Sequence, residues 1–111
     1  MENFIQELLK TRTLFENKEM DIRNFDKLET KSGYGMSIQC SKYHYCTPRE
    51  TTGIEKYESF ELAIFSEHNF VYPEILKDFP RKNELDECYE GQVFGYVPKD
   101  LVEDLYNFLN K

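Results

Sequence analysis

The three cysteines and one of the two histidines form a candidate set of zinc ligands: Cys40, His44, Cys46 and Cys88. Three thiolates and one imidazole form a frequent ligand set of structural zinc sites. Their spacing differs from that of a zinc-finger knuckle, and along an extended strand Cys40 and His44 would lie roughly 13 Å apart. A shared zinc ion therefore requires a turn between them, or a smaller site in which His68 or a carboxylate replaces Cys40. The alternative is that Cys40 is a small core residue and the other thiols are unused.

Cys46 is also a candidate nucleophile, because His44 precedes it as a candidate base and Arg49 follows it as a cation. Thiol catalysis needs, in addition, a group that orients the base and a site that stabilises an oxyanion. The sequence has neither a glycine-rich loop nor a nucleophile elbow that would supply them, and it has no phosphate, dinucleotide or calcium motif. We therefore expect a protein without enzymatic activity, with a thiol-dependent enzyme that uses Cys46 as the alternative.

The sequence ELDECYE at 84–90 contains the densest group of carboxylates in the chain. Its acids, Glu84, Asp86, Glu87 and Glu90, are called the acidic run below, and Tyr89 lies among them. Carboxylates bind arginine side chains through two parallel hydrogen bonds, and an aromatic ring beside them adds contact area. We predict that these five residues bind a partner; the alternative is an exposed loop that is merely solvated.

The net charge of −7 is unevenly distributed along the chain. Residues 1–56 hold nine acids and nine bases, whereas residues 57–111 hold twelve acids and five bases. Direct binding of nucleic acid is not expected, because neutralising phosphates requires a basic face. An acidic half suits a basic protein partner, such as a protein that itself binds nucleic acid. Solubility alone is the alternative explanation of the charge.

Aromatic residues make up 15% of the chain, with nine Phe and eight Tyr. A domain of 111 residues has a core too small to hold all of them. We therefore expect some tyrosines at the surface, where an apolar ring with a polar tip suits an interface. Tyr43, Tyr45 and Tyr57 are either such anchors or half-buried residues of a sheet.

The hydrophobic pattern indicates an α+β protein. It predicts, in chain order, a helix at 3–15, hairpin strands at 27–31 and 34–41, strands at 59–66 and 70–72, a short helix at 73–79, a strand at 92–97 and a helix at 99–109. Residues 16–26 are ambiguous, and 80–91 have the composition of a loop. We predict one domain over 1–111, with a three- to four-stranded, mainly antiparallel sheet packed against N- and C-terminal helices.

The beginning of the sequence, MENFIQELLK, differs from a secretory signal peptide, because it has an early acid and spaced apolar residues. The sequence also has no apolar stretch of the roughly 18 residues that a membrane span requires. An odd number of cysteines, three, favours reduced thiols. We therefore expect a cytoplasmic protein.

Three segments of the chain resemble small proteins encoded by bacteriophages and prophages. They are SIQCSKYHYCTPRE at 37–50, YESFELAIFS at 57–66 and GQVFGYVPKDLVEDLYNFL at 91–109. In size and acidity the chain is also similar to anti-CRISPR proteins, which inhibit Cas nucleases. The resemblance implies a phage protein in a bacterial host cytosol that inhibits a defence nuclease, with Cas9 as the first candidate, by stoichiometric binding through an acidic surface.

The first half of the chain departs from an all-round mimic of nucleic acid, because its acids alternate with lysine and arginine. That departure favours contact with a specific protein domain. A structural metal in so small an inhibitor would fit the four zinc-binding residue types above, and a zinc-stabilised accessory domain of a phage is the second interpretation.

Overall fold

The computed structural model describes residues 2–11, 13–17, 19–20 and 22–111. Its helices are α1 (Asn3–Lys10), α2 (Lys82–Glu87) and α3 (Lys99–Leu109), with 3-10 turns at Ile54–Lys56 and Glu74–Asp78. Its strands are β1 (Thr13–Asn17), β2 (Ile22–Phe25), β3 (Leu28–Glu29), β4 (Gly35–Gln39), β5 (Ser59–Ser66), β6 (Asn69–Phe70) and β7 (Phe94–Pro98). The predicted α+β class, with an antiparallel sheet and terminal helices, is confirmed.

The main sheet has five strands in the described part of the chain, one more than the largest number predicted, and β5 is its central strand. Along β5, Leu62 lies opposite Ile38 of β4. On its other side β5 pairs with β7 near its beginning and with β6 near its end, all antiparallel. Strands β1 and β2 form a separate antiparallel hairpin, which explains the ambiguous pattern of 16–26.

The core lies between one face of this sheet and the two terminal helices. Alternate residues of β4 and β5 point into it, as the alternation predicts, and all are fully buried: Met36, Ile38, Phe60, Leu62 and Ile64. The helices contribute Phe4, Ile5, Leu8, Leu101, Val102, Leu105 and Leu109. The rings of Phe4 and Phe60 meet edge to face at 5.3 Å, so α1 packs directly on the central strand.

The structure corrects the helix predicted at 3–15 and the loop predicted at 80–91. The helix predicted at 3–15 ends at Lys10, because Thr11 is extended and 13–17 pairs with β2. β-branched threonine at 11 and 13 favours a strand over a helix. The loop predicted at 80–91 contains α2, whose single buried residue is Leu85. Charged pairs three and four residues apart stabilise this short helix.

Candidate functional site

Four exposed tyrosines lie in two ring pairs on the edge of the sheet formed by β7. Tyr45 and Tyr96 stack with their ring centroids 5.9 Å apart, and Tyr72 meets Tyr89 edge to face at 6.0 Å. Each side chain is between 41% and 47% exposed. Tyr45, Tyr72, Tyr89 and Tyr96 are called the tyrosine surface below. Rings that already pack on each other have lost part of their conformational freedom before any partner arrives.

The backbone of β7 brings these rings together from distant parts of the chain. The Tyr96 N–H donates to the Tyr45 carbonyl at 2.9 Å, and the Gly95 N–H donates to the Cys88 carbonyl at 2.9 Å. A β-carbon at Gly95 would lie 3.2 Å from the Tyr45 β-carbon and 3.5 Å from Cγ of Glu90. Glycine therefore allows the loop that carries Tyr45 and the end of the acidic run to meet at β7.

Phe94 supports the second ring pair from below. It is 1% exposed, and its ring centroid lies 5.0 Å from that of Tyr89 and 6.3 Å from that of Tyr72. A buried ring under two exposed rings is a rigid base, because the buried ring is fixed by the core. The tyrosine surface is thus continuous with the hydrophobic core.

The acidic run lies on α2 and on the turn after it. Glu84 accepts two hydrogen bonds from Arg81, at 2.7 and 2.9 Å, and these bonds hold the pKa of Glu84 below its usual value. Burial raises the pKa of Asp86, but hydrogen bonds from Lys82 and Tyr72 outweigh it and the pKa is lowered overall. Two of the four acids are therefore already paired within the molecule.

The other two acids, Glu87 and Glu90, are exposed and make no ion pair with any residue that the structure describes. Arg81 also contacts Asp100 at 3.0 Å and Asp104 at 2.8 Å. The first turns of α3 thus lie against the acidic run, and acids from two separate segments share one side of the fold. Of the five predicted binding residues, the four acids lie on α2 and the turn after it, and Tyr89 belongs to the tyrosine surface.

The four predicted zinc ligands lie in different surroundings in the fold. Cys40 is fully buried, and its Sγ lies 3.7 Å from a guanidinium nitrogen of Arg23. Nδ1 of His44 lies 2.7 Å from the Ser41 hydroxyl, and the Cys46 Sγ lies 3.3 Å from the carbonyl oxygens of both Ser41 and Pro48. Across the described ranges of the chain, no three His, Cys, Asp or Glu side chains are grouped to hold a metal ion. The zinc site stays a prediction that a metal assay must test.

The environment of the thiols bears on the alternative of a thiol enzyme. Burial raises the pKa of Cys40 to about 12 and also raises the pKa values of Cys46 and Cys88. The thiolate is the nucleophilic form, so catalytic cysteines have lowered pKa values. The segment that carries His44 and Cys46 forms turns and bends rather than an extended strand.

The structure places Tyr43, Tyr45 and Tyr57, the tyrosines considered together in the sequence, in different environments. Tyr57 is fully buried in the core, and Tyr43 is 50% exposed outside the two ring pairs. Of these three tyrosines only Tyr45 belongs to the tyrosine surface, together with Tyr89, which was predicted with the acidic run. Sequence reasoning missed Tyr72 and Tyr96, whose partners are 17 and 51 residues away in the chain. Gly95, a small residue inside a predicted strand, is the one local signal of a close approach.

Comparison of the chain with protein-family models, with curated proteins and with solved structures finds no match. None of the helices in the described residues is long and apolar enough to cross a membrane.

Proposed function

We propose that the protein is a non-enzymatic binding protein that docks on a basic protein through the tyrosine surface and the acidic run. Following the resemblance to phage proteins, the proposed partner is a defence nuclease of a bacterial cytoplasm, with a Cas nuclease as the first candidate. The observation that carries the proposal is the two tyrosine ring pairs, one stacked and one edge to face, next to the exposed carboxylates of Glu87 and Glu90.

Tyrosine is suited to this role because its large ring has few rotatable bonds and its hydroxyl can form a hydrogen bond. Residues that dominate binding energy at interfaces are enriched in tyrosine and tend to cluster. Four such rings on one edge of the sheet, held by β7 and by buried Phe94, form a preorganised surface. Preorganisation supports binding, because less freedom is lost when the complex forms.

The charge beside the rings supports a basic partner. Glu87 and Glu90 are exposed, and Asp100 and Asp104 of α3 lie close to the acidic run through Arg81. A protein groove that binds nucleic acid is positively charged, so it is electrostatically complementary to such a surface. The raised pKa values of the three thiols support a role without nucleophilic catalysis.

Affinity capture with the chain as bait tests the proposal in a bacterial lysate that expresses candidate defence nucleases. We expect mass spectrometry to identify a nuclease with a basic groove, and we expect the purified chain to inhibit it at a stoichiometry near one. Substitution of Tyr89 by alanine should weaken the complex by at least about 2 kcal/mol, as at other interface tyrosines of this kind. The control is the substitution Leu9→Ser, because Leu9 is a residue of α1 that is 57% exposed and lies outside the tyrosine surface.

A matched pair of charge variants makes the test specific. Glu87→Lys with Glu90→Lys should abolish inhibition, whereas Glu19→Lys with Glu29→Lys changes the net charge equally at exposed positions elsewhere. If both variants lost binding equally, the acidic run would contribute only through the net charge of the protein. Full inhibition by the Glu87 and Glu90 variant, or capture of no nuclease at all, would refute the proposal.

A further inference from the structure

Two cations of the chain lie over rings of the tyrosine surface. The guanidinium carbon of Arg49 is 5.5 Å from the ring centroid of Tyr45, and Nζ of Lys82 is 5.8 Å from that of Tyr72. Both distances are within the range of cation–π attraction. Each ring pair therefore has one ring that attracts a cation and one ring that packs against it.

The cation over Tyr72 is also paired with a carboxylate. Lys82 donates to Asp86 at 2.7 Å, and the Tyr72 hydroxyl hydrogen-bonds the same carboxylate. An aromatic face next to a carboxylate is a binding arrangement for a guanidinium group, which can stack and donate two hydrogen bonds at once. The contacts of Lys82 are thus an example, within the molecule, of how this surface binds a cation.

Arg49 differs from Lys82 in having no counter-charge. It makes no ion pair with any residue in the described part of the chain, and its side chain is exposed. A positive charge over Tyr45 contributes nothing to binding a basic partner and repels it. Arg49 is therefore expected to lower the affinity for a basic partner.

We propose that the tyrosine surface recognises arginine side chains of its partner at Tyr45 and Tyr72, and that Arg49 and Lys82 compete with them. This inference rests on the proposed function and adds to it the residue type that is recognised. Arginine is favoured over lysine because its planar guanidinium stacks on aromatic rings and is more weakly hydrated. Removing either competing cation frees a ring and removes a repulsion, so affinity rises.

Peptides of nine arginines and of nine lysines test the inference without a known partner, by fluorescence anisotropy and by the NMR signals of the tyrosine rings. We expect the arginine peptide to bind at least about fivefold more tightly than the lysine peptide of equal charge. Tyr45→Ala and Tyr72→Ala should bring this ratio close to one. Equal affinity for the two peptides, or no binding of either, would overturn the inference.

The competition at Tyr45 is tested by Arg49→Gln, with Lys31→Gln as a control that removes one exposed charge in the β3–β4 turn. Arg49→Gln should bind the arginine peptide about threefold more tightly than the control, because a ring as well as a charge is released. Equal affinity of the two variants would overturn the competition. Failure of the proposed function is seen separately, as capture of no nuclease by the unsubstituted chain.

Discussion

Tyr96 combines an exposed ring with a backbone conformation that is unfavourable for any residue with a β-carbon. Its φ is +52°, in the left-handed region, and its side chain is 44% exposed. For a residue other than glycine this conformation costs roughly 1–2 kcal/mol. Strained residues of this kind are concentrated at functional sites, where stability is given up for geometry. The strain at Tyr96 is consistent with a ring that has to be presented to a partner.

Two substitutions at Tyr96 separate the backbone strain from the loss of the ring. Tyr96→Gly and Tyr96→Ala both remove stacking on Tyr45, but only glycine relieves the left-handed strain. We expect the glycine variant to be more stable than the alanine variant by about 1 kcal/mol, measured by urea unfolding. Both should bind the partner more weakly. A glycine variant no more stable than the alanine variant would contradict the strained conformation.

His44 should make the stability of the fold depend on pH. Burial lowers its pKa, with Arg23 acting in the same direction and Glu61 against it, so the folded chain holds the imidazole neutral. In the unfolded chain the histidine binds a proton near its ordinary pKa of 6.5. The unfolded state therefore binds more protons between the two pKa values, and stability falls as pH decreases below about 6.5.

Urea unfolding at several values between pH 5 and pH 8 measures this dependence. His44→Asn should flatten the curve in this range, while the unsubstituted chain loses stability towards pH 5. The lowered pKa values of Glu84 and Asp86 act in the same direction, but only below their ordinary values of 4.5 and 3.8. A curve with the same slope in both chains would show that His44 is not the group responsible.

The carboxylate that caps the N-terminus of helix α1 belongs to a side chain of α3. Glu103 accepts hydrogen bonds from the backbone N–H of Asn3 at 2.8 Å and of Phe4 at 3.2 Å. The residue before the helix, Glu2, makes no side-chain capping bond. A carboxylate at this end accepts hydrogen bonds from otherwise unpaired N–H groups and interacts favourably with the positive end of the helix dipole. The acids of α3 thus act on neighbouring elements rather than only on their own helix.

Glu103→Ala should therefore destabilise the fold by about 1 kcal/mol, as the loss of an N-terminal cap does elsewhere. Glu74→Ala, at an exposed carboxylate with one exposed lysine partner, is the control and should change stability by less than about 0.5 kcal/mol. Thermal or urea unfolding measures both. An equal effect of the two substitutions would mean that the cap contributes no stability.

A side-chain amide of the main sheet binds the backbone of β2 in the β1–β2 hairpin. Gln39 of β4 accepts from the Phe25 N–H at 2.7 Å and donates to the Phe25 carbonyl at 2.8 Å. Glutamate at this position keeps the acceptor but loses the donor, and a carboxylate then faces a carbonyl. We expect Gln39→Glu to destabilise the fold by about 1–3 kcal/mol. Hydrogen exchange should show faster exchange in β2, with β5 unaffected; uniform protection would argue against this role.

Elements with strong local patterns could be predicted from the sequence. The alternation of Phe60, Leu62 and Ile64 predicts the strand at 59–66, and the broad apolar face predicts the helix at 99–109. Helix α2 was not predicted, because its stability depends on charged pairs and on contacts of Arg81 with α3. Likewise, the acidic run is visible in the sequence, whereas the ring pairs form only when distant segments meet at β7.

At the scale of the whole molecule, acids from two separate segments of the acidic second half meet in the fold. Arg81 joins Glu84 of α2 to Asp100 and Asp104 of α3, so acids that are separated in sequence are adjacent in space. Arg81 balances only part of this charge. The exposed Glu87 and Glu90 extend the acidic side to the tyrosine surface, where rings supply contact area and carboxylates supply long-range attraction.

Long-range attraction predicts an association rate that depends on salt. Glu87→Lys with Glu90→Lys and Glu19→Lys with Glu29→Lys each raise the net charge by four, from −7 to −3. At 1 M salt the screening length is only about 3 Å, so the on-rate of the unsubstituted chain should fall by at least about tenfold from its value at low salt. The Glu19 and Glu29 variant should keep most of this dependence, because its acidic side is intact. The Glu87 and Glu90 variant should lose it, with a low on-rate at every salt concentration. Surface plasmon resonance with the captured partner measures all three, and identical salt dependence in the two variants would mean that total charge, not its position, drives association.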